Sequence, residues 1–303
     1  MKKTKILSTM IFALAIAFMC TTTVFASNAR YSQPYYTNLN GVELTQQQYN
    51  NLARVFDEDT IATLTQDMAD ILADDTTLQT RSSTQYVKVE TVVDIFGNEV
   101  SYSEEEVTEE EALEFEANPP MQTRGYPTHQ TAMKKLQINI TVGSISVKTI
   151  TVTCTWLSGQ MPVTRSHDVL AVRPNKSFTF NTGAYFSAYL KHNGNTVQTY
   201  NKSSGNVVNS SAGVGVSMPL PTGGTSMSHG LTLIVISGAD PFDAYGSFQH
   251  AQSTVSLADS KKYSLVVNGR TNIIKFNNST IAGKYDNMQS VDCTWRTSTL
   301  SCN

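Results

Sequence analysis

The sequence predicts a mainly β protein, an antiparallel β-sandwich of Ig-like or jelly-roll-like type preceded by a small acidic α+β region. Two observations support this fold class. Val, Ile, Thr, Tyr and Phe alternate with polar residues over 136–284, with Gly, Asn and Ser clusters at the intervals typical of a sandwich. Helical spacing of apolar residues occurs only in the segment before residue 117.

The first 26 residues have the layout of a secretory signal peptide. Lysines near the N terminus precede an apolar run over 6–19, and a small-residue site places the cleavage after Ala26. Ala29 also fits as the last residue before the cut. No later run is long and apolar enough to span a membrane as a helix. We therefore expect a secreted, extracellular protein.

Two short helices and a hairpin are predicted in the acidic region. The segment Thr45–Gln48 has the form of a capping box, and Thr65 is the predicted cap of the second helix. Strand-forming residues follow over 85–102, with a turn at 97–98. The segment Thr108–Glu111 is a second capping box that begins a further short helix.

Two stretches of this region carry a resemblance. Asn40–Thr45 reads NGVELT and Gln48–Leu52 reads QYNNL. On these residues the segment resembles the leader region of uncharacterised secreted proteins of Gram-positive bacteria. The resemblance covers about the first third of the mature chain and implies secretion rather than a particular reaction.

A linker is predicted over 117–128, where prolines and a lack of apolar periodicity separate a leader region, 27–116, from a sandwich domain, 129–303. Arg124 in this linker is a candidate site for a trypsin-like protease, which would make the leader a removable prosegment.

Charge also divides near this linker. Residues 27–124 hold 19 acidic and 5 basic side chains, whereas residues 125–303 hold 6 acidic and 14 basic ones. Opposite charge predicts either that the acidic leader docks on the basic domain within the chain, or that each half meets its own partner.

The dipeptide Asn193-Gly194 predicts a type I′ turn in a hairpin, which would pair His192 with Asn195 and Ala188 with Thr199. One face of this hairpin would be apolar. The other face would carry the candidate ligand-binding residues Tyr185, Tyr189, Lys191, Gln198 and Tyr200. Such a face suits stacking on sugars or gripping a peptide. In the alternative interpretation, the tyrosines cover a sheet edge or pack under a loop, because tyrosine is common in strands.

Three cysteines remain after signal removal, so one of them stays free or pairs between chains. We predict a disulfide between Cys293 and Cys302, which are close in sequence near the C terminus. Cys154 shares the predicted buried strand face of Val152 and Trp156. The rival pairing is a bridge from Cys154 to the C-terminal strand.

Residue types used in catalysis are present without diagnostic spacing. Ser166, His167 and Asp168 are adjacent, and neighbours on a strand point to opposite faces, so they do not predict a triad. The other histidines are scattered, and the β region has no glutamate, which argues against zinc and glycosidase sites. A calcium loop at Asp240 and Asp243 is an alternative, and so is a cluster of residues distant in sequence. We expect no cofactor and no metal.

These patterns predict a non-enzymatic binding protein that acts at a cell or wall surface. Its partner would be an anionic cell-wall polymer, a glycan or a membrane surface, with no nucleic acid involved. The acidic half would mask the basic half. Two other classes stay open. A secreted β-rich toxin would insert the segment 206–237 into a membrane, and a hydrolase would have a site that the sequence does not disclose.

Overall fold

The computed structural model describes residues 34–96, 99–118, 128–143, 147–157, 166–175, 185–221, 226–237, 239–266 and 272–297. From Tyr36 onward the chain forms one compact unit. The predicted signal peptide with Ala26, the predicted turn at 97–98 and the candidate protease site at Arg124 lie outside the described residues.

Short helices begin at the capping signals of the sequence. Thr45 and Thr108 each form a complete capping box with the residue three positions later, which confirms both predictions. Thr65 precedes a third helix, without a side-chain cap. The helices of the described part are α1 (Gln46–Ala53), α2 (Glu58–Thr63), α3 (Gln66–Leu72), α4 (Glu109–Ala117), α5 (Leu257–Ser260) and α6 (Ser279–Ala282).

Strands make up most of the remaining described chain, and every neighbouring pair of them is antiparallel. In chain order they are β1 (Tyr36–Thr37), β2 (Glu43–Leu44), β3 (Gln79–Val93), β4 (Glu99–Val107), β5 (Thr128–Val142), β6 (Val147–Trp156), β7 (His167–Pro174), β8 (Tyr185–His192), β9 (Asn195–Tyr200), β10 (Val207–Ser210), β11 (Gly213–Pro219), β12 (Met227–Ile236), β13 (Phe242–Gln249), β14 (Tyr263–Leu265), β15 (Ile274–Phe276) and β16 (Gln289–Trp295).

Two antiparallel sheets stack to form the body of the fold. The large sheet has seven strands in the order β4-β3-β5-β6-β12-β8-β9, and the small sheet has five in the order β10-β11-β7-β13-β16. Two short ribbons, β1-β2 and β14-β15, lie outside them. This arrangement confirms the predicted fold class, a mainly β protein with stacked antiparallel sheets preceded by a small helical region.

The main core lies between the two sheets. Strand β6 contributes Ile150, Val152, Cys154 and Trp156, whose side chains are all fully buried, as the alternation of that segment predicts. Apolar residues of β7, β11 and β13 in the small sheet pack against them, among them Leu170, Val172, Val214, Val216 and Phe248. Removal of this apolar surface from water is the main force that holds the sheets together.

Strands from both halves of the sequence share the large sheet. Strand β3 pairs with β5 along its whole length, from Gln79 opposite Val142 to Val93 opposite Thr128. Since β3 lies between β4 and β5, the acidic half supplies two of the seven strands. The predicted linker therefore connects two regions of sequence that meet within one sheet. The contact between them is backbone pairing and apolar packing rather than charge alone.

A helical layer covers part of the outer face of the large sheet. Apolar side chains of α1, α2 and α3 pack on each other and on the sheet residues Val147, Tyr185 and Ile234. The helical residues of this cluster include Leu52, Ile61, Met68 and Leu72. The acidic half thus buries its own core against the sandwich, which explains why its short helices hold their place.

The segment 206–237 does not form the hairpin that the toxin alternative requires. Strand β11 belongs to the small sheet, beside β7 and β10, whereas β12 is a central strand of the large sheet. Val214, Val216 and Met218 of β11 are fully buried in the main core. The two strands lie in opposite layers because both are apolar enough to be buried.

Candidate functional site

The hairpin that carries the predicted tyrosine face has a bulge. Strands β8 and β9 pair His192 with Asn195 as predicted, but the register shifts after Lys191, where Val197 is the extra residue. The residue opposite Ala188 is therefore Tyr200, whereas the ideal hairpin would place Thr199 there. A one-residue shift moves side chains to the other face of a sheet. The register prediction is wrong beyond the bulge for this reason.

The five candidate residues do not form one exposed surface. Tyr200 belongs to the main core, and its hydroxyl donates to the exposed Gln198 at 3.1 Å. Tyr189 is 3% exposed, and Tyr185 packs against the helical layer. Lys191 forms an ion pair with Asp59 of α2, Nζ to Oδ1 2.8 Å. The tyrosines are packed, as in the alternative interpretation, because helices of the acidic half cover β8.

Tyr189 also fills the space above a glycine of the next strand. Gly230 lies opposite Tyr189, and a Cβ atom added there would lie 2.1 Å from the Tyr189 ring. A strand glycine of this kind allows an aromatic ring to pack directly on the backbone. Tyr189 is thus a structural residue of the sheet and helix contact.

We expect Tyr189→Ala to lower the free energy of unfolding by about 3 kcal/mol, because it leaves a cavity over Gly230 that cannot close. Chemical denaturation of the mature chain measures this. Lys202→Ala, at an exposed position just after β9, is the control and should change stability by no more than about 0.5 kcal/mol. A fully stable Tyr189→Ala protein would contradict the packing described for this residue.

The structure brings together three polar residues that are far apart in sequence. Asp168 of β7 lies between His250, Nδ1 to Oδ1 2.8 Å, and His229 of β12, Nε2 to Oδ2 3.2 Å. The backbone N–H of Ala251 also donates to Asp168, at 3.2 Å. Asp168 and His229 are fully buried between the sheets. The sequence analysis left open a cluster of residues that are distant in sequence, and this is such a cluster. No local sequence motif predicts it.

Burial and pairing act against each other on these groups. Burial tends to raise the pKa of Asp168, but the charge and hydrogen bond of His250 and the contact with His229 outweigh it and hold this pKa well below its usual range. Burial tends to lower the pKa of His250, but the Asp168 carboxylate outweighs it and raises this pKa. The aspartate therefore stays ionised, and the pair behaves as a buried ion pair at mildly acidic pH.

We expect the stability that His250 contributes to depend on pH. Its pKa is raised in the fold, so its contribution is complete below about pH 6.5 and is lost as the pH rises through the folded-state value. Asp168 has a lowered pKa, so its contribution is present above about pH 4 and is lost as the pH falls. His250→Gln should therefore cost more stability at about pH 5.5 than at about pH 9. An equal loss at both values would contradict the ion pair.

Cys154 lies beside this cluster, directly opposite His229 on the neighbouring strand. Cysteine, histidine and aspartate are the residue types of a nucleophilic triad. Cys154 is a free thiol but is fully buried, and burial raises its pKa well above the usual range. A buried thiol of raised pKa is a poor nucleophile, so the geometry favours a structural role.

The adjacent residues Ser166, His167 and Asp168 are not aligned as a triad, although Ser166 Oγ lies 3.4 Å from His167 Nδ1. Asp168 binds His229 and His250, while His167 Nδ1 contacts the carbonyl oxygen of Val255 at 3.1 Å. Ser166 Oγ exchanges hydrogen bonds with the backbone of Val255. These contacts anchor the segment after β13 to the start of β7, as expected for a chance sequence of triad residue types.

The cysteine and calcium predictions have separate outcomes. Cys302 lies outside the described residues, so its pairing with Cys293 stays a prediction. The free Cys154 shows that the rival bridge to the C-terminal strand is not formed.

The alternative of a calcium loop at Asp240 and Asp243 gains no support. Asp243 accepts hydrogen bonds from Thr294 at 2.7 Å and Asn175 at 3.1 Å. Within the described ranges, no group of three or more His, Cys, Asp or Glu residues is arranged to hold a metal ion.

A second buried cluster of charge lies next to the first. Lys134 of β5 contacts Glu104 of β4 and Asp286, which precedes β16. All three charged side chains are almost completely buried. A lysine that is 1% exposed keeps its charge only because both carboxylates contact it. Glu104 comes from the predicted prosegment, so the acidic half completes this part of the core.

The open surface of the described chain is also charged, with its two signs in different places. A groove beside α4 is lined by Val107, Phe115 and Met133 together with acidic side chains and one lysine, namely Lys88, Glu90, Glu105, Glu106, Glu111 and Glu114. Lys261 and Lys262 follow α5, Lys275 lies on β15 and Lys284 follows α6, and we call these four residues the lysine surface. Asp259 is the acidic residue close to it, paired with Lys262 at 2.7 Å.

The described surface also has an exposed apolar tip. Ile95, Phe96 and Val100, where β3 and β4 approach each other, are exposed, and Phe96 is 82% exposed. No helix in the described residues is long and apolar enough to cross a membrane.

Comparisons with known proteins give little further guidance. No protein-family model matches the chain, and no curated protein matches it. Among solved structures, the KRT10-binding region domain of the pneumococcal serine rich repeat protein PsrP is similar over 57% of this chain and 87% of that domain. The aligned parts are 12% identical and superpose with a TM-score of 0.25. A likeness this distant assigns no ligand to the chain.

Proposed function

We propose that this chain is a secreted, non-enzymatic binding protein that acts at a cell or wall surface and takes an anionic wall polymer as its partner. The predicted signal peptide supports export. The observation that carries the proposal is the separation of charge on the surface, with the lysine surface facing solvent apart from the glutamates of the groove. The cluster of Asp168, His229 and His250 is, by contrast, buried in the core, as is Cys154.

The lysine surface has the properties of an electrostatic binding site. Lys262 and Lys275 are exposed, and Lys261 and Lys284 are half-buried. Neighbouring lysines raise the local concentration of an anionic polymer and bind it by charge, an effect that salt weakens. The pKa of Asp259 is lowered by its hydrogen bonds with Lys262 and Ser256 and by the charge of Lys284, so this carboxylate stays ionised. Its single negative charge balances only one of the four lysines.

A small apolar core holds the elements that carry the lysine surface in place. Tyr263, Ile274 and Tyr285 are buried beneath it, together with residues of β7. The rings of Phe276 and Tyr285 stack at a centroid distance of 4.6 Å. Because this core fixes the backbone, the chain that carries the lysines need not be ordered on binding, which reduces the entropy lost.

Retention of the mature chain on purified anionic wall polymer at low salt tests the proposal. The variant with Lys261, Lys275 and Lys284 changed to glutamine should bind at least about tenfold more weakly. The control changes Lys135, Lys148 and Lys202, none of which lines the groove, to glutamine, so its net charge is the same. This control should bind like the unmodified chain. An equal loss in both variants, or a loss in neither, would reject the lysine surface as the site.

Masking by the acidic half can be tested without removing that half. Changing Glu105, Glu106 and Glu114 of the groove to glutamine should strengthen binding to the polymer at low salt, and the difference should narrow as salt rises. Unchanged binding would show that the acidic half masks nothing.

Two other results would favour the other function classes. Dye release from anionic liposomes that depends on Phe96 would favour a toxin, and release of soluble wall fragments would favour a hydrolase.

A further inference from the structure

The contact between Lys134 and Asp286 has the geometry of two groups poised to react. Lys134 Nζ lies 2.9 Å from Oδ2 of Asp286, and the ammonium also contacts Glu104. The lysine is in β5 of the large sheet, and the aspartate lies three residues before the start of β16 of the small sheet. The pair therefore spans the two layers of the sandwich.

The two oxygens of the Asp286 carboxyl group are held differently. Oδ1 accepts the backbone N–H of His250 at 2.7 Å. Oδ2 faces Lys134 and the hydroxyl of Tyr102, which is 3.3 Å away. A backbone N–H on one oxygen is the arrangement that stabilises negative charge when the carbon is attacked. The other oxygen is next to the donors that a leaving hydroxyl needs.

The surroundings exclude water. The Lys134 ammonium lies 5.2 Å from the centre of the Trp156 ring and 6.0 Å from that of Phe248. The side chains of Lys134 and Asp286 are 1% and 0% exposed. Burial, together with the nearby Glu104, outweighs the pull of Lys134 and raises the pKa of Asp286 to about 6. A neutral carboxylic acid is therefore accessible near neutral pH, and a neutral acid is what an amine attacks.

Glu104 is positioned to move protons between the two groups. Its Oε1 contacts Lys134 Nζ and accepts from Gln289 Nε2 at 2.6 Å and from the Tyr102 hydroxyl. A carboxylate anchored by several donors keeps one orientation. It touches the attacking nitrogen, so it can accept a proton from that atom without moving.

We propose that Lys134 and Asp286 form an intramolecular amide bond, with Glu104 as the proton carrier. A proton first passes from the Lys134 ammonium to Oδ2 of Asp286. The neutral amine attacks Cγ, which forms the Nζ–Cγ bond and places negative charge on Oδ1, next to the His250 N–H. Glu104 takes the second proton from Nζ and returns it to Oδ2. The Cγ–Oδ2 bond breaks, one water molecule leaves, and Glu104 is regenerated.

The amide bond would stabilise the fold in two ways. Two opposite charges buried in a core are costly because both lose their hydration. The amide replaces that pair with a neutral group and removes the charge from the core. It also joins the two sheets covalently, so that separating them requires breaking a bond. Such a link suits a protein that must resist force or proteases outside the cell.

Mass spectrometry of the folded mature chain, beginning at Ser27 and measured after reduction and denaturation, tests the proposal. We expect nearly all molecules to be lighter than the sequence mass by one water molecule. Digestion should yield a branched peptide that joins the segments containing Lys134 and Asp286. The branched peptide is decisive, since cyclisation of an aspartate in the backbone also removes water. The full mass, or separate linear peptides, from folded protein would overturn the proposal.

Three variants test the roles of the residues. Lys134→Arg and Glu104→Gln should both retain the full sequence mass, the first because the reacting amine is gone and the second because the proton carrier is gone. Glu105→Gln is the matched control, since Glu105 is the exposed neighbour of Glu104 on β4, and it should form the link completely. A complete link in Glu104→Gln would overturn the role of Glu104. Circular dichroism confirms folding, and the unmodified chain decides the outcome if a variant does not fold.

Discussion

A chain that begins at Gly125 is expected not to adopt the folded sandwich. It lacks β3 and β4, so the fifteen residues of β5 lose one of their two neighbouring strands. It also lacks Val87 and Val89 of the main core, the helical layer over β8, and Glu104 beside the buried Lys134. An exposed edge of this length pairs readily with other chains. We therefore expect aggregation or an unfolded circular dichroism spectrum.

A chain that begins at Ser27 is the control for this truncation, and it should be monomeric with a strand-rich spectrum. A soluble, cooperatively folded Gly125–Asn303 fragment would contradict the structure. The prosegment hypothesis requires that fragment to be active. This is why masking is better tested by neutralising glutamates on the intact chain than by cutting the leader away.

Replacing Lys134 with methionine is expected to lower the free energy of unfolding by about 3 to 5 kcal/mol. The change leaves the carboxylates of Glu104 and Asp286 buried with no cation between them, and an uncompensated buried charge carries a cost of this size. The variant also cannot form the proposed amide, which can only add to the loss. Denaturant titration of the mature chain measures the difference.

The control for Lys134→Met adds Glu104→Gln and Asp286→Asn, which remove both orphaned charges. This triple variant should recover part of the lost stability, since a neutral cluster of similar volume is less costly to bury. A loss below about 1 kcal/mol for Lys134→Met alone would show that water reaches the cluster, contrary to the burial described here.

Local patterns of the sequence predict much of this fold. Thr45 and Thr108 cap helices where the capping boxes lie, because these signals involve residues three positions apart. The alternation from Ile150 to Trp156 predicts the buried face of β6 for a similar reason. The turn at Asn193-Gly194 gives the correct first pair of its hairpin.

Features that depend on distant residues escape such patterns. The bulge at Val197 leaves no signature in the hairpin sequence, and it alone moves Tyr200 into the main core. Asp168 meets His229 and His250 only because β7, β12 and the end of β13 converge between the sheets. Periodicity identifies faces, but it does not say which face of one strand meets which face of another.

The acidic character of the first half is the most misleading signal. It suggests a separate body that docks by charge, yet most of its carboxylates line the surface while β3 pairs with β5 along fifteen residues. Glu104 could be recognised as a core residue only from its partners Lys134 and Asp286, which follow it by 30 and 182 positions.

Cutting the chain between its two halves tests the central claim, that both halves form one folded body. A site for a specific protease is placed within 119–127 of the mature chain, and the folded protein is cut there. We expect the two pieces to elute together in gel filtration under native conditions, at low and at high salt, and to separate only in denaturant. Pieces that separate under native conditions, or that separate as salt rises, would contradict the shared sheet and would show docking by charge alone.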